Sequence, residues 1–344
     1  MALTISTRRK LGETALSLPV FGFGSAHLGE LYAPVEEADS RATLDAAWDA
    51  GIRYYDTAPW YGRGLSEHRL GGFLRTKPRN EFQITTKVGR TLHRPSDPQH
   101  FDRSPWVGGL NFEVHFDYSY DGIMRSYEQA LQRLALDTVN ALVIHDLDPA
   151  YHEPGIYEAH CKALIATGMK ALEELKAAGD IEAYGMGINT ADTLSTLAQQ
   201  VDLDFALVAM PYTLIDQSSL HEGMANCLAK NTSVIIGAPF ASGILATGSG
   251  SNSKYGYAAA PAAIQEKVRG IEAVCIAHKV SLQAAALQFP LAHPAVASII
   301  PGAARASEVT QNVASVQADI PDAFWSDLKT EGLIVSDAPT PQRG

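Results

Sequence analysis

A chain of 344 residues that is 46% hydrophobic and 19% charged carries enough apolar material to bury a large core, which excludes an intrinsically disordered protein. Lys and Arg number 27 against 38 Asp and Glu, a formal net charge of −11 with His neutral. A surface that acidic repels phosphate backbones and anionic lipids, so nucleic acid and the membrane are excluded as partners and a small molecule is expected instead.

The N-terminal stretch has basic residues, but Gly12, Glu13 and Pro19 interrupt it before a signal-peptide core can form. No run approaches the roughly 18 apolar residues of a membrane span. The three cysteines, Cys161, Cys227 and Cys275, are odd in number, far apart and without metal-ligand spacing. They read as small buried hydrophobes of a reduced, cytoplasmic protein, and no metal is expected.

Short β-rich runs alternate with amphipathic stretches along the whole chain without a shift in composition, so residues 1–344 read as one α/β domain. Strands are predicted at 19–24, 53–57, 82–87, 141–145, 183–187, 205–211, 234–238 and 297–301. Helices are predicted over 39–50 and 169–178, ending at Gly51 and Gly179, and around Ile264, Val268, Ile271 and Cys275, whose spacings place them on one face. Eight βα units fit a (β/α)8 TIM barrel, with the chemistry in the loops after the strand C-termini. The rival is a doubly wound open sheet. Against it, Phe21-Gly22-Phe23-Gly24-Ser25-Ala26-His27 has the first two glycines of G-x-G-x-x-G and lacks the third. Two segments exceed ordinary loop length, 91–121 and 246–261. The first, rich in aromatics, is expected to wall a pocket; the second, with Gly248 to Ser253 and then Tyr255 and Tyr257, to form a mobile flap.

Four ionisable residues fall at or just past strand ends: Asp56, Tyr61, Lys87 and His145. They make a coherent acid/base device. An ammonium beside a phenol lowers its pKa toward working pH, so Lys87 is expected to ready Tyr61 for proton transfer. A buried Lys needs a partner, which Asp56 supplies, and His145 can orient the reacting oxygen. His27, Asp56, His93 and His145 also raise the alternative of a metal-dependent barrel hydrolase, but no H-x-H pair lies on the first strand.

The sequence resembles the aldo-keto reductases over about 19–312. The resemblance rests on Tyr54-Tyr55-Asp56-Thr57-Ala58-Pro59-Trp60-Tyr61-Gly62, on Ser66-Glu67 and Thr86-Lys87, on 126–136 leading to Ile144-His145, and on Ile300-Pro301-Gly302 with Asn312. It implies that Asp56, Tyr61, Lys87 and His145 are a catalytic tetrad. Gly62-Arg63-Gly64-Leu65-Ser66-Glu67, the run from Phe116 to Gly122 and Ile144-His145-Asp146-Leu147-Asp148 are similar to a bacterial branch. That branch contains D-threo-aldose 1-dehydrogenase, L-fucose or L-galactose dehydrogenases, and pyridoxal 4-dehydrogenase. It implies oxidation of a cyclic hemiacetal to a lactone, the substrate being an aldose such as L-fucose. Pyridoxal, a general carbonyl reduced with NADPH, and a cofactor-sensing regulatory subunit are the alternatives.

The resemblance also implies a nicotinamide cofactor across the barrel mouth. Asn189 would hold its carboxamide, Phe240 would stack on the ring, and Ser242 and Gly243 would lie alongside. Gly302, Glu308 and Asn312 would receive the adenosine half. Gly302 and Glu308 stand where NADP-preferring members often carry Lys and Arg, and a carboxylate repels a 2′-phosphate, so NAD is expected over NADP. Arg305 is the residue that would favour NADP. Tyr32, Trp60 and Trp106 are the expected substrate-pocket residues.

Overall fold

The computed structural model describes residues 4–250, 253–256 and 258–342. Eight short strands run parallel in one sheet in sequential order: β1 (Phe23–Gly24), β2 (Tyr54–Asp56), β3 (Gln83–Val88), β4 (Ala141–Ile144), β5 (Ala183–Ile188), β6 (Phe205–Val208), β7 (Ser233–Ile236) and β8 (Val296–Ile299). The sheet closes on itself. Phe21 bridges Ile299 and Gly24 bridges Gly302, with Gly22 N donating to Ile299 O at 2.8 Å and Ile299 N to Val20 O at 2.9 Å. The fold is therefore the expected (β/α)8 barrel, and an open doubly wound sheet is ruled out by this closure.

Every residue of β4, β5, β6 and β8 is buried, which is why these runs read as almost continuously apolar. One set of side chains packs outward against helices. The other set fills the barrel interior, where Tyr54, Ala141, Val143, Ala183, Phe205, Leu207, Ile235, Ala297 and Ile300 cluster with Leu11, Leu16 and Leu18. Those leucines belong to or flank an antiparallel hairpin of Arg8–Lys10 and Ser17–Pro19, which closes the N-terminal end of the barrel. Sequence reading missed this hairpin because its two strands are three residues each and show only one alternation.

The predicted helix ends are found. Glu37–Asp49 is followed by Gly51 at φ +88°, and Met169–Ala178 ends on Gly179 at φ +82°. Ala262–His278 buries Val268, Ile271 and Cys275, with Ile264 half-buried beside them. The long segment after β3 is more ordered than a loop. Arg90–His93 pairs antiparallel with Glu113–Phe116, and the next helix, Tyr120–Leu134, starts at once, capped by Ser119 Oγ, which accepts from Gly122 N at 3.2 Å. In the other long segment Lys254–Tyr255 pairs with Ala258–Ala259. Ser251, Asn252 and Tyr257 of the expected flap lie outside the described residues.

Gly71 tests the packing between the helices that follow β2 and β3, Leu65–Leu74 and Tyr120–Leu134. A Cβ there would stand 2.1 Å from the carbonyl oxygen of Leu134, at the end of the neighbouring helix. An exposed helical Gly→Ala change stabilises by about 1 kcal/mol. Here the sign inverts, and Gly71→Ala is expected to lower unfolding free energy by about 1–3 kcal/mol in urea titrations.

Candidate active site

Two-residue alternation puts Tyr54 and Asp56 of β2 and Thr85 and Lys87 of β3 on the interior face, side by side on paired strands. Lys87 Nζ donates to Asp56 Oδ1 at 2.5 Å and to the carbonyl of Thr57 at 2.9 Å. Thr85 Oγ1 donates to Asp56 Oδ2 at 2.6 Å, and the Tyr54 hydroxyl lies 3.1 Å from the same Thr85 oxygen. Thr85 has one proton and gives it to the carboxylate, so Tyr54 is the donor in that pair. Both carboxylate oxygens are thereby satisfied, and Lys87 and Asp56 form an ion pair with side chains only 2% exposed.

Tyr61 sits above this pair on a left-handed turn that its two glycines ease. Gly62, Arg63 and Gly64 have φ of +63°, +53° and +100°, and a Cβ on Gly62 would stand 2.7 Å from Gly29 Cα. Ser66 locks the turn's far side, donating to Ser25 O at 2.8 Å and meeting Thr57 Oγ1 at 3.1 Å. The Tyr61 ring centroid is 4.7 Å from Lys87 Nζ and 6.0 Å from the His145 ring, which it meets edge-on. The structure thus brings Asp56, Tyr61, Lys87 and His145 together.

It corrects one electrostatic expectation. Lys87 was expected to depress the Tyr61 pKa, but its charge is matched by Asp56. Burial, then Asp56 and Asp146, push the Tyr61 phenol well above its ordinary range, with Arg90 opposing. Burial, Arg90 and Lys87 hold His145 well below the usual histidine range. Before any ligand binds, both groups are neutral at pH 7.

Sequence reading missed a second charged group next to these four. Arg90, just past β3, pairs with Asp146, just past β4, and both are buried. Asp146 Oδ2 lies 3.4 Å from His145 Nε2, and Asp146 Oδ1 accepts from Asn189 Nδ2 at 2.8 Å. Asp148 accepts from Thr190 N at 3.2 Å and Thr190 Oγ1 at 3.0 Å, fixing the start of the loop after β5. The available signal was position: Arg90 and Asp146 each stand one to three residues beyond a tetrad candidate at a strand end.

The expected cofactor residues line the same mouth. Ala241, Ser242 and Gly243 follow one another at φ +48°, +61° and +104°, and a Cβ on Gly243 meets nothing within 4 Å. Phe240 is half-buried and packs on the core. Gly302 faces His27, whose Nδ1 would be 2.6 Å from a Cβ there. Asn312 Nδ2 donates to Gly302 O at 3.3 Å, and the exposed Glu308 accepts from Ala304 N at 2.8 Å. His145 Nδ1 and His27 Nδ1 are buried without a protein hydrogen-bond partner. An amide, two unpartnered ring nitrogens and an open glycine turn suit a polar cofactor with a carboxamide and a ribose.

Among the expected pocket residues, Trp106 is buried, 5.8 Å from the Tyr61 ring and 5.6 Å from Trp60. Tyr32 is partly exposed and carries Lys254 Nζ 3.2 Å above its ring. No three His, Cys, Asp or Glu side chains converge as a metal cluster among the described residues, and His93 stacks on His115 at 4.4 Å.

The model of the Aldo/keto reductase family matches residues 20–330. The chain belongs to the aldo/keto reductase family. It is an oxidoreductase acting on CH–OH or carbonyl groups with a nicotinamide cofactor. It is 42% identical to the pyridoxal 4-dehydrogenase of Microbacterium luteolum, over 97% of this chain and 100% of that one. It is 37% identical to a D-threo-aldose 1-dehydrogenase of a Pseudomonas species, over 98% and 99%. An aldo-keto reductase structure from Bacillus halodurans superposes with a TM-score of 0.71 at 23% identity, covering 98% and 99% of the two chains. No described helix is long and apolar enough to cross a membrane.

The Lys87–Asp56 pair has a measurable consequence. Asp56→Ala leaves a buried ammonium without its counter-charge and is expected to cost about 3–5 kcal/mol in chemical unfolding. Replacing both partners by apolar residues, Asp56→Leu with Lys87→Met, should cost much less. Equal losses in the two variants would show that the pair is not desolvated as described.

Proposed function

We propose that the protein oxidises a cyclic hemiacetal at its hemiacetal carbon to a lactone, with NAD as the acceptor. The observation that carries this is the arrangement of the Tyr61 ring over the buried Lys87–Asp56 pair with the His145 ring alongside. The similarity to a pyridoxal dehydrogenase and an aldose 1-dehydrogenase supports the substrate class, because both substrates exist in water as ring hemiacetals. The aromatic wall of Trp60 and Trp106 beside Tyr61 suits the flat face of either ring.

In this reading the hemiacetal hydroxyl lies between Tyr61 and His145. Tyr61 as phenolate takes the hydroxyl proton while the carbon loses hydride, and the C–O bond becomes the lactone carbonyl. The bound cofactor supplies the hydride acceptor. Lys87 stabilises the phenolate at close range, Asp56 holds Lys87 in place through its ion pair, and His145 fixes the oxygen. Asn189 would hold the carboxamide. Glu308 supports NAD over NADP, since its exposed carboxylate stands at the helix start while Gly302 adds no cation and Arg305 points to solvent.

Cofactor reduction at 340 nm with L-fucose and with pyridoxal, each against NAD and NADP, tests the reading directly. Lactone formation from either substrate with NAD is expected; activity confined to NADPH-dependent carbonyl reduction would overturn it. Tyr61→Phe should lower turnover by about 10²–10⁴-fold, and near-normal turnover would remove Tyr61 from its role.

The raised Tyr61 pKa fixes the sign of the pH dependence. A phenolate base is scarce below its pKa, so the oxidation rate should climb steadily from pH 6 to pH 10, while carbonyl reduction should not. Initial rates in both directions across that range check it. Glu308→Arg should improve NADP relative to NAD by about tenfold, read from kcat/KM for the two cofactors.

A further inference from the structure

Asp146 holds a backbone conformation that side-chain-bearing residues rarely adopt, φ +50°, at the end of a barrel strand and buried. Such a residue persists only where its surroundings over-determine it, and conformations of this kind cluster at functional sites. Here the turn is clamped from both sides. The Tyr118 hydroxyl donates to the carbonyl of His145 at 2.7 Å, and His152 Nε2 contacts the carbonyl of Asp146 at 2.9 Å. A carbonyl can only accept, so His152 carries its proton on Nε2. The result aims the Asp146 carboxylate at three groups at once: the Arg90 guanidinium, the Asn189 amide and the His145 ring.

We propose that Asp146, held by Arg90, is a positioning residue that sets the Asn189 amide and the His145 ring together, so that the cofactor grip and the substrate-oxygen grip are oriented by one carboxylate. This rests on the reading of the site as a nicotinamide-dependent dehydrogenase. A carboxylate accepts and cannot donate, so the Asn189 Nδ2 must face it, which leaves Asn189 Oδ1 as the acceptor for a carboxamide N–H. Arg90 stays in place through its ring contacts, with its guanidinium 4.9 Å from the Trp60 ring centroid and 4.5 Å from that of Phe116.

The pair also bears on Tyr61 with opposite signs. The charged groups around that phenol are Asp56 on β2, Lys87 on β3, Arg90 just past β3 and Asp146 just past β4; His145 is neutral, and Trp60 and Trp106 carry no charge. Asp146 raises the Tyr61 pKa and Arg90 lowers it. Removing one charge therefore moves the Tyr61 titration one way, and removing the other moves it the opposite way. A role confined to holding the fold has no such sign.

The test compares Asp146→Asn, Arg90→Gln and the double variant with wild type. NAD affinity is read by calorimetry, and the pH profile of cofactor reduction is taken with the substrate that wild type oxidises. Asp146→Asn turns the carboxylate into an amide that no longer dictates the Asn189 orientation, so NAD should bind about tenfold more weakly. Its rising pH limb should move to lower pH, that of Arg90→Gln to higher pH, and the double variant back toward wild type. NAD affinity within twofold of wild type in Asp146→Asn, or limbs that move in the same direction or not at all, would overturn the proposal. Should Asp146→Asn fail to fold, Arg90→Gln decides: an unmoved limb overturns it. Wild type that binds neither NAD nor NADP overturns the functional reading and this proposal with it, whereas wild-type binding with unmoved variants overturns this proposal alone.

Discussion

A lysine and an aspartate shut away from water at the mouth of a barrel set the terms for everything around them. Desolvating two charges is costly, and a buried ion pair is retained without penalty only when its remaining hydrogen-bonding capacity is met. Here Thr85, the Thr57 carbonyl and, one step removed, Tyr54 meet it. That requirement fixes the alternation of β2 and β3, because a one-residue slip of either strand would send its half of the pair to the outer face. The glycine turn that lifts Tyr61 over Lys87 depends in turn on that register.

Four buried charges surround Tyr61 and cancel in pairs, Lys87 with Asp56 and Arg90 with Asp146. The balance explains why proximity of an ammonium does not depress the phenol pKa. Each cation is answered by a carboxylate that also faces Tyr61, and burial decides the remainder. The protein at rest therefore holds a protonated phenol. A positive ring bound beside it would lower that pKa by the same Coulombic rule that lets Asp56 and Asp146 raise it. The protonation of Tyr61 is thus set by the surrounding protein and is coupled to what occupies the site.

All eight barrel strands and the convergence of four strand-end ionisable residues were legible in the sequence, because buried parallel strands read as short apolar runs and strand-end residues converge by topology. Asp56, Tyr61, Lys87 and His145 needed no knowledge of backbone angles. The antiparallel pairing of Arg90–His93 with Glu113–Phe116 was not legible, since its strands mix polar and apolar residues and are joined across some 20 positions. Asp146 was hidden differently. It stands in the Ile144–Asp148 run, but its contacts depend on a positive φ and on Arg90 and Asn189 from two other loops, neither of which is local in sequence. The Lys87 effect on Tyr61 failed for a related reason: a pKa depends on every neighbouring charge, and a sequence shows only which charges exist.

The insertion after β3 is tied to the Tyr61 turn rather than laid over it. Leu110 N donates to Gly62 O at 2.9 Å, Val107 N to Glu30 O at 3.0 Å, and the Arg63 guanidinium to Phe112 O at 3.0 Å. Main-chain bonds of this kind do not depend on which side chains the insertion carries, so the wall can change its residues while its backbone stays registered to Gly62. Trp106 is the exception, because its ring packs directly on Tyr61. Val107 and Phe112 are the more exposed side chains of this segment, so substitutions there disturb the packing around Tyr61 least. Changes at Trp106 reach Tyr61 directly, their ring centroids being 5.8 Å apart.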